Sequence, residues 1–293
     1  ERILIMREKM MMRVEKLNEL LREEEKDFTV EYVQRWKRNE KLEGYAILRS
    51  GSNTYPIIYN HESIIQMSDK ELIEYMESIL ARDQPEAEKV SNVMKNMDYI
   101  KENLYMTLIS LNRNAEGLKQ EDILFIPVED MAITFYIRIE FGESIGKIRV
   151  KNDLLKALNL TKEEVFLYAK ENLEKHYYIA PIENIIKEYI EDFPLEEADK
   201  KIKILVVTTK DNDEGAALMV SEKVMDKLEK QFSSKFLILP SSVHEFIAVP
   251  YKSKDDIRSC KKMVQEVNNT VLSPNEYLSD NVFVWENGGL HKA

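Results

Sequence analysis

The sequence predicts an α+β protein in which largely antiparallel sheets carry helices packed on one face. The apolar residues change several times between the spacing of an amphipathic helix and the alternation of a strand. In the last third of the chain, the predicted elements follow the order β-α-β-β-α-β. That order suits helices segregated to one face of an antiparallel sheet.

The first predicted element is an amphipathic helix within residues 1–27. Its apolar residues are three or four positions apart: Ile3, Met6, Met10, Val14, Leu17 and Leu21. The run Met10–Met12 broadens this stripe, and methionine adapts to irregular surfaces. The stripe could bind a partner, although packing in the core is the commoner use of such a face.

Residues 28–60 predict an antiparallel meander, because the apolar residues alternate from Phe28 onward. We expect further strands at 46–48 and 55–59, with a turn at 51–53. Capping boxes at Ser68–Glu71 and Thr161–Glu164 then predict two helix starts. The remaining predictions for this region are helices at 68–82, 85–111, 161–176 and 182–191, and strands at 122–127 and 131–141.

The acidic segment 191–201 contains Pro194 and is the predicted domain boundary. The predicted organisation is therefore an N-terminal helix (1–27), an α+β lobe (28–195) and a second α+β lobe (196–293). In the second lobe we expect strands at 202–208, 236–239, 246–251 and 281–285, helices at 213–232 and 255–268, and a third capping box at Ser273–Glu276.

The charge balance argues against nucleic acid as a partner. The net charge is −11 and the sequence pI is near 5.1, so the overall field repels phosphate. One local exception is the basic segment Gln34–Arg38, which includes Trp36. This patch could contact nucleic acid or an acidic partner, or it could be the solvated end of a strand beside Glu31 and Glu40.

The single cysteine, Cys260, cannot form an internal disulfide or a cysteine-based zinc site. We expect it to be a small buried hydrophobe. With no disulfide framework, no secretory leader and no apolar run of about 18 residues, the sequence predicts a cytoplasmic protein without a membrane span.

The segment Leu239–Phe246 carries the most concentrated polar chemistry, because Ser241, Ser242, His244 and Glu245 fall between two apolar strands. Nucleophilic catalysis needs a hydroxyl, a base and a group that orients the base, and all three types are present. In an extended segment, however, Ser242 and His244 share a face while Glu245 points away. The alternative is turn chemistry, in which the hydroxyls bind the backbone.

No cofactor is expected. The sequence lacks a GxGxxG and a GxxxxGK[ST] motif, and Ala248 replaces the second histidine that a zincin needs after His244. A metal site made only of carboxylates stays open. Segment 211–217 lies between a strand and a helix, and its Asp and Asn residues are interpreted as helix caps.

Five motifs resemble the bacterial family DUF5688: Tyr55–Tyr59, Ala169–Asn172, Gly215–Ala217, Leu239–Glu245 and Leu278–Phe283. The resemblance covers nearly the whole chain from about residue 28, and the Ser-Ser-x-His-Glu segment is its most specific part. One departure is Val207–Thr209, where the family pattern has Thr-Asn. The resemblance implies a bacterial cytoplasmic protein and brings no reaction, cofactor or catalytic residue. A more distant similarity links the chain to DUF1444 (YtpQ-like) proteins.

Three functions follow as hypotheses. The first is a non-catalytic binding or regulatory protein with a protein partner, since no complete catalytic motif is present. The second is a hydrolase using Ser241 or Ser242 with His244. The third is a nucleic-acid-associated protein that uses the patch ending at Arg38. The sequence leaves any small-molecule ligand open.

Overall fold

The chain forms two compact units. The computed structural model describes residues 2–50, 55–142, 144–189, 203–232 and 234–293. The first unit comprises residues 1–37 and 41–96, and the second comprises Arg38–Glu40 and Met97–Ala293. This division differs from the predicted one at residue 195. The predicted boundary itself lies mostly outside the described residues, and the strands on either side of it pair in one sheet.

The first unit is a three-stranded sheet with helices. In chain order its elements are α1 (Arg2–Glu23), β1 (Phe28–Lys37), β2 (Glu40–Arg49), β3 (Ile57–Tyr59), α2 (Glu62–Gln66) and α3 (Asp69–Val93), with the sheet order β1-β2-β3. Leu17 and Leu21 of α1 pack with Ile47 of β2 and with Leu72 and Met76 of α3 in the unit's core. The predicted amphipathic helix and meander are thus confirmed, while the predicted turn at 51–53 lies outside the described residues.

Helix α3 begins at a capping box. The Ser68 hydroxyl accepts a hydrogen bond from the Glu71 N–H, and the Glu71 carboxylate accepts one from the Ser68 N–H. The helix then continues through Pro85 to Val93, so the predicted break before Pro85 is wrong. A proline removes a backbone donor, but its fixed φ is compatible with the helix.

The second unit opens with a four-stranded antiparallel sheet. Its elements are α4 (Met97–Glu102), β4 (Leu104–Ser110), α5 (Leu111–Gln120), β5 (Phe125–Val128), β6 (Met131–Phe141) and β7 (Ser144–Arg149). Strand β6 pairs with β4, β5 and β7. The predicted helix at 85–111 is wrong from Leu104 onward. Strand β4 is buried on both faces, so its apolar run shows no alternation and is hard to tell from a helix.

A six-stranded antiparallel sheet follows, in the order β13-β12-β10-β11-β9-β8. The strands of this sheet and the helices between and before them are, in chain order, α6 (Asn152–Ala157), α7 (Lys162–Glu174), β8 (Tyr177–Pro181), α8 (Ile182–Tyr189), β9 (Leu205–Thr209), a 3-10 helix (Gly215–Val220), α9 (Glu222–Phe232), β10 (Phe236–Pro240), β11 (Glu245–Pro250), α10 (Lys254–Thr270), a 3-10 helix (Pro274–Glu276), β12 (Phe283–Glu286) and β13 (Gly289–Lys292). The antiparallel α+β class is confirmed, and the capping box that starts α7 at Thr161 is present.

Two details of the last third differ from prediction. The helix predicted over 213–232 is divided at Ser221, because a buried 3-10 helix, Gly215–Val220, precedes α9. The capping box predicted at Ser273 is absent, since its side chain caps no backbone N–H and the helix is a single 3-10 turn. A capping box does start α10, where Ser253 pairs with Asp256. Within the described residues, no helix has the length and apolar character to cross a membrane.

Candidate functional site

The turn that follows β9 is held by two threonines. The Thr209 hydroxyl accepts from the Asp213 N–H at 3.0 Å and donates to the Asp213 carbonyl at 2.9 Å. The Thr208 hydroxyl donates to the His244 carbonyl at 2.8 Å. The two hydroxyls therefore fix this turn and join it to the residue that precedes β11.

The same turn carries an unusual backbone. Asn212 and Glu214 both have positive φ, of 51° and 58°, a region that residues with a side chain seldom adopt. Gly215 follows in tight contact, because a Cβ there would lie 2.4 Å from the His244 carbonyl oxygen and 2.6 Å from the Thr208 Cα. Such conformations persist only where surrounding structure holds them, and they are frequent at binding sites.

Glu214 lies at the centre of a charged cluster within the second unit. Its side chain is 3% exposed, and one carboxylate oxygen contacts Arg38 Nη2 at 2.6 Å and Lys147 Nζ at 3.0 Å. The Thr107 hydroxyl donates to the other oxygen. Burial would raise the pKa of Glu214, but the charges of Arg38 and Lys147 outweigh burial and hold the pKa below its ordinary value. The carboxylate is therefore ionised and fully partnered.

His244 forms the partly exposed side of this cluster. Its side chain is 32% exposed; Nδ1 lies 3.5 Å from an Asp213 oxygen, and Nε2 lies 3.9 Å from a Glu276 oxygen. Asp213 also contacts Lys147 Nζ at 2.7 Å. The contact with Asp213, reinforced by the charge of Glu214, raises the pKa of His244 above 6.5. Burial opposes this change but does not prevail.

Two groups compete for the Nδ1 atom of His244. The Glu214 N–H points at Nδ1 from 3.4 Å, while the Asp213 carboxylate lies at 3.5 Å. A protonated Nδ1 donates to Asp213, and an unprotonated Nδ1 accepts from the Glu214 N–H. The imidazole thus has a partner in either protonation state, and protonation exchanges one partner for the other.

The serines predicted as nucleophiles are placed differently from a triad. The buried Ser242 hydroxyl accepts from the His244 N–H at 2.9 Å, which is turn chemistry. Ser241 is half-buried. Within the described residues, the imidazole contacts are to Asp213, Glu214 and Glu276 rather than to a serine hydroxyl. A catalytic role for Ser241 or Ser242 stays a prediction.

Glu245 and segment 211–217 also depart from expectation. Glu245 begins β11 opposite Thr208, and the carboxylate beside the imidazole is that of Asp213. The 3-10 helix at Gly215 has no side-chain cap, so the capping interpretation of its Asp residues is wrong. No local pattern in the sequence pointed to Lys147 and Thr107, because they lie far from the other members of the cluster along the chain and meet Glu214 only in the fold.

Three further sequence predictions concern the basic segment, a carboxylate metal site and Cys260. Arg38 of the basic segment contacts Glu214, while Arg35 donates to the Tyr55 hydroxyl at 2.7 Å. In the part of the chain that the structure describes, no group of three His, Cys, Asp or Glu residues is placed to hold a metal ion. Cys260 is half-buried and unpaired, and burial raises the pKa of its thiol.

The fold and this site define an antiparallel α+β protein with a buried carboxylate in a cluster of alternating charges. The profile of DUF5688, a family of unknown function, matches residues 7–287. The chain belongs to this family. No curated protein and no solved structure matches the chain.

Proposed function

We propose that the protein is a non-catalytic binding or regulatory protein, and that the cluster around His244 contacts a cationic segment of a partner protein. The observation that carries this proposal is the difference in exposure between the carboxylates of the cluster. Glu214 is buried and satisfied by Arg38, Lys147 and Thr107. Asp213, His244 and Glu276 are each about one-third exposed and face solvent in fixed positions.

The charges of the cluster indicate that the contacting segment of the partner is cationic. Three cations of the cluster pair with carboxylates: Arg38 with Glu214, Lys147 with Asp213 and Arg138 with Asp211. Glu276 then remains, with an imidazole 3.9 Å away. A protonated imidazole only balances the four carboxylates of the cluster, and above its raised pKa the neutral imidazole leaves one unmatched negative charge at the exposed rim. A lysine or arginine of a partner would match it, and the net charge of −11 favours the encounter.

A site-specific photocrosslinker tests this proposal. Benzoylphenylalanine replaces Asn275, the exposed neighbour of Glu276, in one variant and Glu229, an exposed residue of α9, in a matched control. We expect an adduct of defined mass at position 275 in cells that express the protein, weakened when Asp213→Lys is added, and no such adduct at position 229. Equal adducts at both positions, or an adduct indifferent to Asp213→Lys, would overturn the proposal.

The hydrolase alternative has one favourable observation, since Asp213 lies beside Nδ1 where an orienting carboxylate belongs. It requires a hydroxyl at Nε2, and the raised pKa of His244 lowers the fraction of imidazole that is unprotonated and able to act as a general base at neutral pH. Turnover of nitrophenyl esters or peptides that disappears in His244→Gln and in either Ser241→Ala or Ser242→Ala would establish this alternative. Turnover unaffected by all three substitutions would reject it.

Nucleic-acid association through residues 34–38 is the weaker alternative, because Arg38 is committed to a buried carboxylate. Salt-sensitive binding of an oligonucleotide that fails in Arg35→Glu would support it.

We also propose a bacterial cytoplasmic location. The half-buried, unpaired Cys260 is compatible with a reducing compartment.

A further inference from the structure

The first unit contains a cavity that is separate from the His244 cluster. Its volume is about 600 Å³, and α1, Tyr45 of β2 and the segment around Met67 line it. This volume lies in the range of small-molecule binding sites, which are commonly apolar with a few charged groups that set orientation. The wall of this cavity has both kinds of residue.

Cations dominate the charged part of the wall. Lys9, Arg13 and Lys16 follow one another at spacings of four and three along α1, so they share one helix face. Among the described lining residues, Asp69 is the one carboxylate, and it contacts Arg13 at 3.0 Å and Lys16 at 2.6 Å. The wall therefore carries an excess of two positive charges in a chain whose net charge is −11.

The three cationic side chains differ in how firmly their neighbours hold them in place. Arg13 is fixed, because its guanidinium also donates to the Ile64 carbonyl at 3.2 Å and to the Met67 carbonyl. Lys16 is 66% exposed, and among the described residues no ion pair is formed by Lys9. Like charges at these spacings repel one another along a helix. An incoming anion would relieve that repulsion at the mouth of the cavity.

The apolar part of the wall lies beside the cations. Met6 is 48% exposed and Ile65 is 49% exposed, and both line the cavity. Met10, one turn from Met6, is buried in the core of the unit. Exposed apolar side chains next to an excess of cations are complementary to a molecule with an apolar chain and an anionic end.

We propose that this cavity binds a free carboxylate amphiphile, the anion of a fatty acid. Its carboxylate contacts Lys9 and Lys16, with Arg13 as the fixed member of the group, and its chain covers Met6 and Ile65. The charge complementarity selects an anion over a neutral or cationic amphiphile. This inference concerns a different unit from the proposed partner site and does not depend on it.

Calorimetric titration of the full chain with dodecanoate below its micelle concentration tests the inference. Dodecanol and dodecyltrimethylammonium serve as neutral and cationic probes, and anionic phospholipid vesicles test for a membrane headgroup instead. We expect saturable binding of one dodecanoate per chain, about tenfold tighter than dodecanol. Equal affinity for dodecanol, or binding to vesicles without binding to dodecanoate, would overturn the inference.

Two substitutions and two matched controls locate the site. We expect Lys9→Glu and Ile65→Asn each to weaken dodecanoate binding about tenfold. Lys262→Glu and Met263→Asn make the same chemical changes on exposed positions of α10 in the other unit, and we expect them to leave binding unchanged. All four positions are exposed, so the fold is retained, as a thermal melt would verify. Equal losses in the test and control variants would also overturn the inference.

Discussion

At the scale of the residue, Glu214 shows how burial and charge oppose each other. A carboxylate that is 3% exposed would be neutral in an apolar site, but Arg38 and Lys147 keep it ionised. Removing a partner leaves a buried charge with fewer compensating groups, which is costly. The two cations are about one-quarter and one-third exposed, so solvent screens part of their contribution.

Replacing Arg38 tests this balance. We expect Arg38→Met to lower the free energy of unfolding by about 2–3 kcal/mol, because a buried carboxylate loses a charged partner. Arg35→Met is the matched control, since Arg35 makes an exposed contact with Tyr55, and we expect it to change stability by less than about 0.5 kcal/mol. Urea denaturation measures both. Equal effects of the two substitutions would contradict the account of the cluster.

The chemistry of individual residues was only partly predictable from sequence. The 239–246 segment pointed to His244, and His244 does lie in the cluster. Its partner could not be found by adjacency, because Asp213 and Glu276 are brought to it by the turn after β9 and by a 3-10 helix. Arg38 belongs to a basic segment that the sequence indicates to be exposed to solvent or to a partner. In the structure its guanidinium instead contacts Glu214.

At the scale of the element, the turn after β9 depends on a close approach of backbone to backbone. Gly215 lies where a Cβ would overlap the His244 carbonyl oxygen and the Thr208 Cα. Both of those atoms belong to paired strands, β11 and β9 or their immediate ends. Neither can move without disturbing the ladder between the two strands.

Gly215→Ala should therefore destabilise the second unit. We expect a loss of about 1–3 kcal/mol from the forced displacement, as for other overpacked sites. Amide hydrogen exchange should locate the faster opening in β9 and the start of β11. Gly289→Ala is the control, because the nearest atoms there belong to the exposed His291 side chain. Unchanged exchange in β9 of the Gly215→Ala variant would show that the turn tolerates a Cβ.

Element predictions succeeded where local signals were strong. The boxes at Ser68 and Thr161 were confirmed because the capping interaction is contained within four residues. Strand β6 was predicted with the bounds it has, Met131–Phe141. Strand β4 was mistaken for helix because both of its faces are buried, and only the neighbouring strands and helix explain its apolar run.

At the scale of the whole molecule, the Asp213–His244 pair links stability to pH. The pKa of His244 is raised in the folded protein. Its contribution to the free energy of unfolding is therefore complete below pH 6.5, and it is lost as the pH rises through the raised pKa. Hydrogen bonds and charges from His244 and Lys147 overcome burial and lower the pKa of Asp213. The stabilisation that comes from Asp213 is therefore present above pH 3.8, and it is lost as the pH falls through the lowered pKa. The pair therefore stabilises the protein most on the acidic side of neutrality.

This linkage is measurable by denaturation. We expect the free energy of unfolding to fall between about pH 6 and about pH 9 by more in the wild type than in His244→Gln, which cannot titrate at that position. The difference between the two curves isolates His244 from the other ionising groups. Parallel curves would show that the imidazole gains nothing from Asp213 in the folded protein.

An NMR titration of the His244 imidazole in the wild type, Asp213→Asn and Ser242→Ala tests the contact between Asp213 and His244 most directly. We expect a wild-type pKa above 6.5, a lower pKa in Asp213→Asn and little change in Ser242→Ala, because the carboxylate contacts the ring while the hydroxyl holds the turn. A pKa that responds to Ser242→Ala and ignores Asp213→Asn would contradict this expectation. That result would mean that the hydroxyl is coupled to the imidazole, as a hydrolase requires.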